Sequence, residues 1–236
     1  MKVNDFTADQ ARYFDQQARL LGIEEENFVG DYEFANVLAF LNLFPHSKIL
    51  EFGCGTGRFS IKFLEKGFDV FGVDISSESL SKLRYKYKKK ATLKWGNLKT
   101  AKKIPIGKKF DACVCINIIH HLEKPTDTIK EIKTCLKKKG IIYIFEPNPL
   151  YLPWYVYFAS KGILPIEKNI LKSSMWNIKK MLIQQGFKHV KTMPYGLFPT
   201  RLLFWSSAVL KFMTLSLSRL PVIRLFTFHN MLRAEN

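Results

Sequence analysis

A glycine-rich loop followed by an acidic residue is the strongest chemical signal in this chain of 236 residues. Glu51 ends a short apolar run, and Gly53, Gly55 and Gly57 alternate with other residues directly after it. Glycines at this spacing let the backbone approach a ligand closely and turn sharply into a helix. Asp74 ends the next apolar run, where an acid can accept both hydroxyls of a ribose. The pattern therefore predicts a site for a cofactor that contains a nucleoside.

The elements around this loop alternate between short apolar runs and helical patterns. The predicted strands are Ser47–Phe52, Phe68–Val73, Thr92–Trp95, Phe110–Cys115 and Ile141–Phe145. The predicted helices between them are Arg58–Lys66, Ser77–Lys90 and Thr126–Lys139, the last one stopped by Gly140 in a left-handed conformation. Strands of four to six residues that alternate with helices favour an α/β domain, with a parallel sheet covered on both faces.

The flanking regions differ from this core. Helical spacing over Phe6–Leu21 and Asp31–Leu43 predicts two helices before the first strand. After Glu146, a helix is predicted over Ser174–Gln185, followed by strands over Phe187–Met193 and Phe228–Ala234. Composition shows no linker, so we expect a single domain over residues 1–236. Within it we expect a helical cap (1–44), a cofactor-binding core (45–146) and an acceptor-side region (147–236).

The glycine spacing also separates cofactor classes. A dinucleotide fingerprint requires a glycine where Arg58 stands. The segments ILEFGCGTG, FGVDIS, FDACVCINIIHHL and IIYIFEPN instead resemble, in order and spacing, the class I S-adenosylmethionine-dependent methyltransferases. The resemblance covers about residues 45–150 and is greatest to the small-molecule type, which includes the ubiquinone and menaquinone biosynthesis enzymes. It implies a Rossmann-like, doubly wound, mostly parallel seven-stranded sheet with helices on both faces and an antiparallel last strand.

The same resemblance implies S-adenosylmethionine as cofactor and S-adenosylhomocysteine as product. The residues expected at the methionine end are Glu51, Gly53, Cys54, Gly55 and Asn117, and Gly57 is expected to bind the cofactor as part of the same loop. On the adenosine side, Asp74 is expected to bind the ribose and Ile75 to pack on adenine. Asn97 stands where the family usually has an aspartate that faces the adenine amino group, and Leu98 is expected to offer its backbone N–H.

Methyl transfer is an in-line displacement, and a base is needed only when the acceptor must lose a proton. The candidate bases are His120, His121 and Glu146, which follow the fourth and fifth predicted strands. We assign the catalytic role to His121, with a structural histidine that braces the loop as the open alternative. We expect no metal site, since His120 and His121 are adjacent in sequence and the other histidines are scattered.

Two segments are candidates for the acceptor side. An aromatic lid is predicted over 147–165, with Tyr151, Trp154, Tyr155, Tyr157 and Phe158 either lining the acceptor site or packing on the core. An insertion at about 195–226 contains nineteen mostly apolar residues, Leu202–Leu220. Lys211 and several serines interrupt it, so a helix lying on a membrane surface fits better than a span. A buried helix or a dimer interface is the alternative.

Charge and composition limit the function classes. The chain carries 37 Lys+Arg against 20 Asp+Glu, a net charge of +17, which suits an anionic membrane or nucleic acid unless it only reflects a lysine-rich composition. With 47% hydrophobic residues the chain is neither disordered nor collagen-like. The four cysteines lack CxxC pairs, and the first residues lack the apolar stretch of a secretory signal. We therefore expect a cytoplasmic protein that associates with the inner membrane face if the apolar segment contacts lipid.

The leading hypothesis is methyl transfer to a small-molecule acceptor, or to one linked to lipid or glycan. An RNA methyltransferase that uses the basic surface is one alternative. The segment after the fourth strand lacks the Asn/Asp-Pro-Pro-aromatic motif of base methylation, so we do not expect nucleic acid as a partner. A non-catalytic protein that binds S-adenosylmethionine is the other alternative, which Asn97 permits. The acceptor atom and the oligomeric state stay open.

Overall fold

The computed structural model describes residues 8–20, 28–89, 96–167, 169–196, 220 and 222–236. The described strands are β1 (Lys48–Phe52), β2 (Asp69–Val73), β3 (Leu98–Ala101), β4 (Phe110–Ile116), β5 (Leu136–Pro147), β6 (Lys188–Tyr195) and β7 (His229–Glu235). They form one sheet in the order β3-β2-β1-β4-β5-β7-β6. Only β7 runs antiparallel to its neighbours, β5 and β6, among these strands. The predicted fold class is confirmed.

Side-chain alternation along the strands divides the core into two layers. Cys113 and Ile142 point into one layer, whereas Val114 and Tyr143 point into the other, as the two-residue period of a strand requires. The described helices are α1 (Ala8–Leu20), α2 (Phe28–Leu41), α3 (Ser60–Glu65), α4 (Ser77–Lys89), α5 (Pro125–Cys135), α6 (Pro153–Ser160) and α7 (Met175–Gln184). Side chains from α5 and α7 complete the first layer, and α2, α3 and α4 complete the second. All four cysteines are buried, free thiols.

The prediction was wrong at the junction of α5 and β5. The helix ends at Cys135 rather than Lys139, and Leu136 already pairs with Phe110 in the sheet. Lys139, not Gly140, has the left-handed backbone, with φ of 63°. Backbone pairing with the chain end explains the change: the Lys139 N–H donates to the Asn236 carbonyl at 3.0 Å, and the Asn236 N–H donates to the Gly140 carbonyl at 2.8 Å. Tertiary pairing here overrides the helical propensity of the lysine run.

The third strand lies further along the chain than the sequence indicated. The predicted strand Thr92–Trp95 falls outside the described residues, and β3 begins at Leu98, which pairs with Val70 of β2. Gly96 packs tightly beneath this junction, because a Cβ there would lie 1.7 Å from the Phe68 carbonyl oxygen. The register of β3 decides which of its residues reach the cofactor edge, as described below.

The predicted apolar helix of residues 202–220 lies outside the described residues, except for Leu220. No helix in the described part of the chain is long and apolar enough to cross a membrane. The division into cap, core and acceptor-side region stays a prediction.

Candidate functional site

The glycine-rich loop joins β1 to α3 at the carboxyl edge of the sheet. The N–H groups of Gly53 and Cys54 both donate to the Val73 carbonyl, at 2.8 and 3.0 Å, and fix the loop over the end of β2. Gly53 has φ of +78°, and a Cβ on it would lie 2.6 Å from Cγ1 of Ile118. Both the left-handed backbone and this close approach require glycine. The loop is therefore held in one shape before any ligand binds.

Asp74 follows β2 and turns back under the glycine-rich loop. Its Oδ2 accepts from the Gly55 N–H at 2.7 Å, and its Oδ1 accepts from the Ser76 N–H at 2.9 Å. Burial raises the pKa of Asp74, and the two backbone donors oppose that rise. The carboxylate is thus fixed at the cavity wall with lone pairs still available to hydroxyl donors.

Glu51, at the end of β1, is a buried acid with one described donor. The Ser60 hydroxyl donates to its Oε2. Burial raises the pKa of Glu51 to about 8, although the Ser60 hydrogen bond and the charge of Arg58 lower it. Because the carboxylate faces a cavity, a cationic ligand group placed there would stabilise its charged form.

Two adjoining cavities, of about 150 and 370 Å³, lie over the carboxyl ends of β1, β2 and β4. Eight predicted site residues line one or both cavities: Glu51, Gly53, Cys54, Gly55, Asp74, Ile75, Asn117 and His121. Asn117 has a left-handed backbone, with φ of 51°, and its N–H donates to the Phe145 carbonyl. Its buried Oδ1 has no hydrogen-bond partner among the described residues, which leaves an acceptor for a ligand.

Three predicted cofactor residues do not line these cavities. Gly57 packs beneath α4 instead, since a Cβ on it would lie 2.3 Å from Cδ1 of Leu83. Asn97 lies at the amino-terminal end of β3, where its N–H and Nδ2 both donate to Oδ1 of Asp69, at 2.8 and 3.0 Å. Leu98 pairs with Val70 near the same edge. Four strand intervals, about 13 Å, separate Asp69 from the cofactor edge.

Gly96-Asn97 precedes β3 in this structure, so the geometry does not support the assignment of Asn97 and Leu98 to adenine, which stays a prediction. The register pairs Val73 with Ala101, so the next residue, Lys102, reaches the cofactor edge and lines the smaller cavity. Sequence reasoning missed Lys102 because its position depends on this register.

The first helix supplies cavity residues that carried no sequence signal beyond helical spacing. Phe14 lines both cavities, and Gln17 and Ala18 line the larger one. Asp15 fixes α1 to the start of α4: its Oδ1 accepts from the Ser76 hydroxyl at 2.6 Å and from the Glu78 N–H at 3.3 Å. The helix thus forms part of the wall of both cavities.

His121 lies in a short 3₁₀ helix, Ile119–His121, after β4. Its ring meets the ring of Phe14 edge to face, with centroids 5.1 Å apart, and its carbonyl accepts from Nε2 of Gln10 at 2.9 Å. Burial lowers the pKa of His121 well below its ordinary value, and the charge of His120 lowers it further. His121 is therefore a neutral imidazole at pH 7.

His120 is held between two carboxylates. Its Nδ1 lies 2.5 Å from Oε2 of Glu146, and its Nε2 lies 3.0 Å from Oε2 of Glu167. Burial lowers the pKa of His120, but the charge and hydrogen bonds of the two glutamates outweigh it and raise the pKa to about 10. Glu146 also accepts from the N–H groups of Ile118 and Ile119, at 2.7 and 2.8 Å. Because the carboxylate of Glu146 already accepts these hydrogen bonds from the loop, it is poorly placed to act as a base.

The aromatic segment packs on the core. Trp154 of α6 stacks on Phe228 with centroids 4.5 Å apart, and its Nε1 donates to the Phe228 carbonyl at 3.1 Å. Tyr155 donates its hydroxyl to the Pro149 carbonyl at 2.9 Å. The described cavities are not lined by these aromatic residues. Of the two readings, these contacts favour a lid packed on the core.

Comparison with known proteins identifies the family. A family model described as a methyltransferase domain matches residues 26–193. The chain belongs to this family of methyltransferase domains. The resemblance drawn from the glycine-rich loop and the motifs that follow it is confirmed, as is the fold that the resemblance implied.

Individual relatives of this methyltransferase domain span several acceptor classes. The chain is 31% identical to a ubiquinone biosynthesis O-methyltransferase of Pelagibacter ubique, over 56% of this chain and 59% of that protein. It is 27% identical to the magnesium-protoporphyrin O-methyltransferase of Synechocystis, over 84% of this chain and 90% of that protein. The crystal structure of that Synechocystis enzyme with bound S-adenosylhomocysteine has a TM-score of 0.61 at 20% identity, covering 96% and 95% of the two chains.

A phosphoethanolamine N-methyltransferase of Haemonchus contortus, solved with S-adenosylmethionine, has a TM-score of 0.67 at 17% identity and covers 97% of this chain and 58% of that one. These likenesses show the shared fold. The chain spans 40% to 59% of the length of three of the curated relatives it matches. Substrate and activity are therefore inferred from the site itself.

Proposed function

We propose that this protein transfers a methyl group from S-adenosylmethionine to a small-molecule acceptor. The observation that carries the proposal is the convergence of Asp74, Glu51 and the glycine-rich loop on one pair of cavities. A carboxylate for ribose hydroxyls and a second carboxylate for an ammonium group match the two polar ends of this cofactor. Family membership supports the same activity.

The cavity lining gives each part of the cofactor a partner. The methionine ammonium would contact Glu51 and the free Oδ1 of Asn117, and the ribose hydroxyls would contact Asp74. Adenine would then lie beside Ile75 and Lys102 in the smaller cavity. Phe14 contacts both cavities, so α1 would cover the bound cofactor along its length.

Methyl transfer in this site would depend mainly on alignment of the two reactants, because displacement at the methyl carbon requires an in-line approach. The apolar cavity wall favours the dispersal of sulfonium charge in the transition state. We propose that His121, which lines the smaller cavity as a neutral imidazole, accepts a proton where the acceptor must lose one.

For the acceptor, we propose a small molecule that is apolar or linked to a lipid. The exposed side chains of Leu152, Val156, Val222 and Phe226 support contact with an apolar partner. Asn148 joins the segments that carry them, because its Nδ2 donates to the carbonyls of Leu225 and Thr227. Together with the net charge of +17, these side chains support contact with an anionic membrane surface, to which residues 202–220 would contribute.

Transfer of a labelled methyl group tests the proposed function. The full chain, incubated with methyl-labelled S-adenosylmethionine and separate lipid, small-molecule, glycan and RNA fractions, is expected to label the lipid or small-molecule fraction. Label confined to RNA would contradict the proposed acceptor. Cofactor binding without label in any fraction would favour the non-catalytic alternative. Flotation with vesicles that contain anionic lipid tests the membrane contact separately.

The titration of Glu51 predicts a pH dependence of cofactor binding. With a pKa of about 8, Glu51 is mostly protonated below pH 7 in the free protein, and binding of an ammonium group beside it favours the charged form. Affinity should therefore rise about tenfold or more from pH 6 to pH 8. Above about pH 8 it should level off or fall, because the α-amino group of the ligand then loses its own charge.

Calorimetric titration in two buffers of different ionisation enthalpy measures this effect, since it counts the protons released on binding. We expect close to one proton released at pH 6.5 in the parent protein. Asp74, whose pKa burial also raises, would contribute in the same direction, so the Glu51→Gln variant isolates the part due to Glu51. An unchanged proton count in that variant would rule out Glu51 as the ammonium partner.

A further inference from the structure

We propose that His120, His121 and Glu167 form a binding site for a divalent transition-metal ion beside the cofactor cavity. Each residue offers one ligand atom, and the three atoms lie within 4.8 Å of one another. From the sequence we expect no metal site here, because the side chains of adjacent histidines need not point to one ion. The 3₁₀ turn at Ile119–His121 instead brings their rings to a centroid distance of 3.9 Å, and Glu167 approaches from the segment between α6 and α7.

The distance between the His120 and Glu167 ligand atoms suits one shared ion. Nε2 of His120 and Oε2 of Glu167 are 3.0 Å apart. Two atoms that each lie about 2.1 Å from one ion, at angles between square and tetrahedral, are separated by about 3.0–3.4 Å. The pair is therefore spaced as neighbouring ligands would be.

One of the candidate ligand atoms, Nδ1 of His121, is buried without a hydrogen-bond partner among the described residues. Oε2 of Glu167 is buried as well, and its described polar contact is the ion pair with Nε2 of His120. Leaving buried polar atoms unsatisfied costs free energy, and an ion is one of the partners that explain such atoms. A backbone hydrogen bond to Ile166 engages the other side of the His121 ring. This contact would fix the ring with Nδ1 free to bind.

Glu146 contacts the nitrogen of His120 that faces away from the proposed ion. Its Oε2 contacts Nδ1 of His120, which leaves Nε2 facing Glu167. A carboxylate on the far nitrogen of a ligating histidine is the usual outer partner in metal sites, where it fixes the ring orientation and raises the basicity of the ligating nitrogen. The N–H groups of Ile118 and Ile119 hold Glu146 in turn, so the support is rigid.

The donor set selects the class of ion. Two imidazoles and one carboxylate suit zinc, iron(II), cobalt(II) or manganese(II) better than magnesium or calcium, which prefer oxygen ligands. Three protein ligands leave at least one coordination position open. Because His121 lines the cavity, that position would be reachable from the cofactor site.

The role of the ion rests on the proposed function. A metal at the acceptor side would bind an acceptor oxygen and lower the pKa of its hydroxyl, whose proton would pass to solvent water. The resulting oxyanion would bond to the methyl carbon as S-adenosylhomocysteine leaves. His121 would then act as a ligand rather than as a base, so the two roles exclude each other. Metal binding itself can be measured without cofactor or acceptor, and its failure is therefore distinguishable from failure of methyl transfer.

Titration of the full chain with cobalt(II) and with zinc, after dialysis against a chelator, tests the site. We expect one ion per chain by calorimetry, and a cobalt absorption spectrum typical of nitrogen and oxygen ligands. Glu167→Gln and His121→Asn should each weaken binding at least tenfold, and Glu146→Gln should weaken it about 10–100-fold through its effect on His120. His189→Asn is the matched control. Because His189 is exposed and lies outside the proposed site, its replacement should leave the metal affinity of the protein unchanged.

Circular dichroism of each variant establishes that it is folded. The proposal is overturned if the folded parent protein takes up less than about 0.2 ion per chain. It is also overturned if Glu167→Gln and His121→Asn both retain the parent affinity. In either case a protonated His120 that forms ion pairs with Glu146 and Glu167 would explain the short distances between these residues. His121 would then remain available as a base.

Discussion

Replacement of Asp74 by alanine is expected to weaken S-adenosylmethionine binding at least 100-fold without unfolding the protein. The carboxylate would accept hydrogen bonds from two ribose hydroxyls, and hydrogen bonds to a charged group contribute about 1.5–3 kcal/mol each. Loss of both corresponds to about 100-fold or more in affinity. The Gly55 N–H would also lose its acceptor, so the loop beneath the cofactor would be less firmly held. Calorimetric titration with S-adenosylmethionine and S-adenosylhomocysteine measures the change.

Asp69 provides a matched control in the same strand. Asp69 is the first residue of β2, whereas Asp74 directly follows the last one. Like Asp74, Asp69 accepts two N–H donors, in its case both from Asn97 and both on Oδ1. Asp69→Ala should therefore lower stability by an amount similar to that of Asp74→Ala, yet leave cofactor affinity within about twofold. Asp74→Asn should give an intermediate affinity, because one acceptor oxygen remains. Equal losses of affinity in Asp69→Ala and Asp74→Ala would mean that Asp74 acts only through the fold.

The same two aspartates show what sequence could predict about this site. Asp74 lines the cavity because it ends a strand whose boundaries are set by local signals, an apolar run between Gly67 and a helix start, and its binding of ribose stays a prediction. Asn97 lies away from the cavity because the position of β3 is fixed by its pairing with β2, at a distance in sequence. Local patterns thus predicted the residues nearest to well-bounded elements, whereas register decided the rest.

Contributions from distant segments were beyond sequence reasoning for a similar reason. Phe14 and Asp15 lie on a helix whose spacing predicted only that it is amphipathic; its docking on α4 depends on the Ser76 hydroxyl and the Glu78 N–H. Glu167 belongs to a segment with no regular pattern, and nothing in the sequence relates it to His120. The boundary between α5 and β5 was misplaced because the chain end pairs there. Each of these features depends on contacts between residues far apart in sequence.

The largest expected effect on stability comes from Glu146, whose carboxylate is fully buried at the end of β5. It accepts the N–H groups of Ile118 and Ile119 and contacts Nδ1 of His120, all of them buried. Glu146→Ala would leave two backbone donors without partners and would take away one of the two carboxylates that hold the charged His120 ring. Removing one member of such a buried ionic network costs about 3–5 kcal/mol. Urea unfolding followed by circular dichroism should show a fall of that size in the free energy of unfolding.

Two further variants separate the causes of this loss. Glu146→Gln keeps a carbonyl oxygen for the two backbone donors but loses the charge beside His120, so it should cost about 1–3 kcal/mol. Glu123→Ala removes an exposed acid near the same loop and should change stability by less than about 0.5 kcal/mol. A loss below 1 kcal/mol in Glu146→Ala would mean that the loop satisfies its donors in another way. His121 would then lack the rigid support on which either of its proposed roles, base or metal ligand, depends.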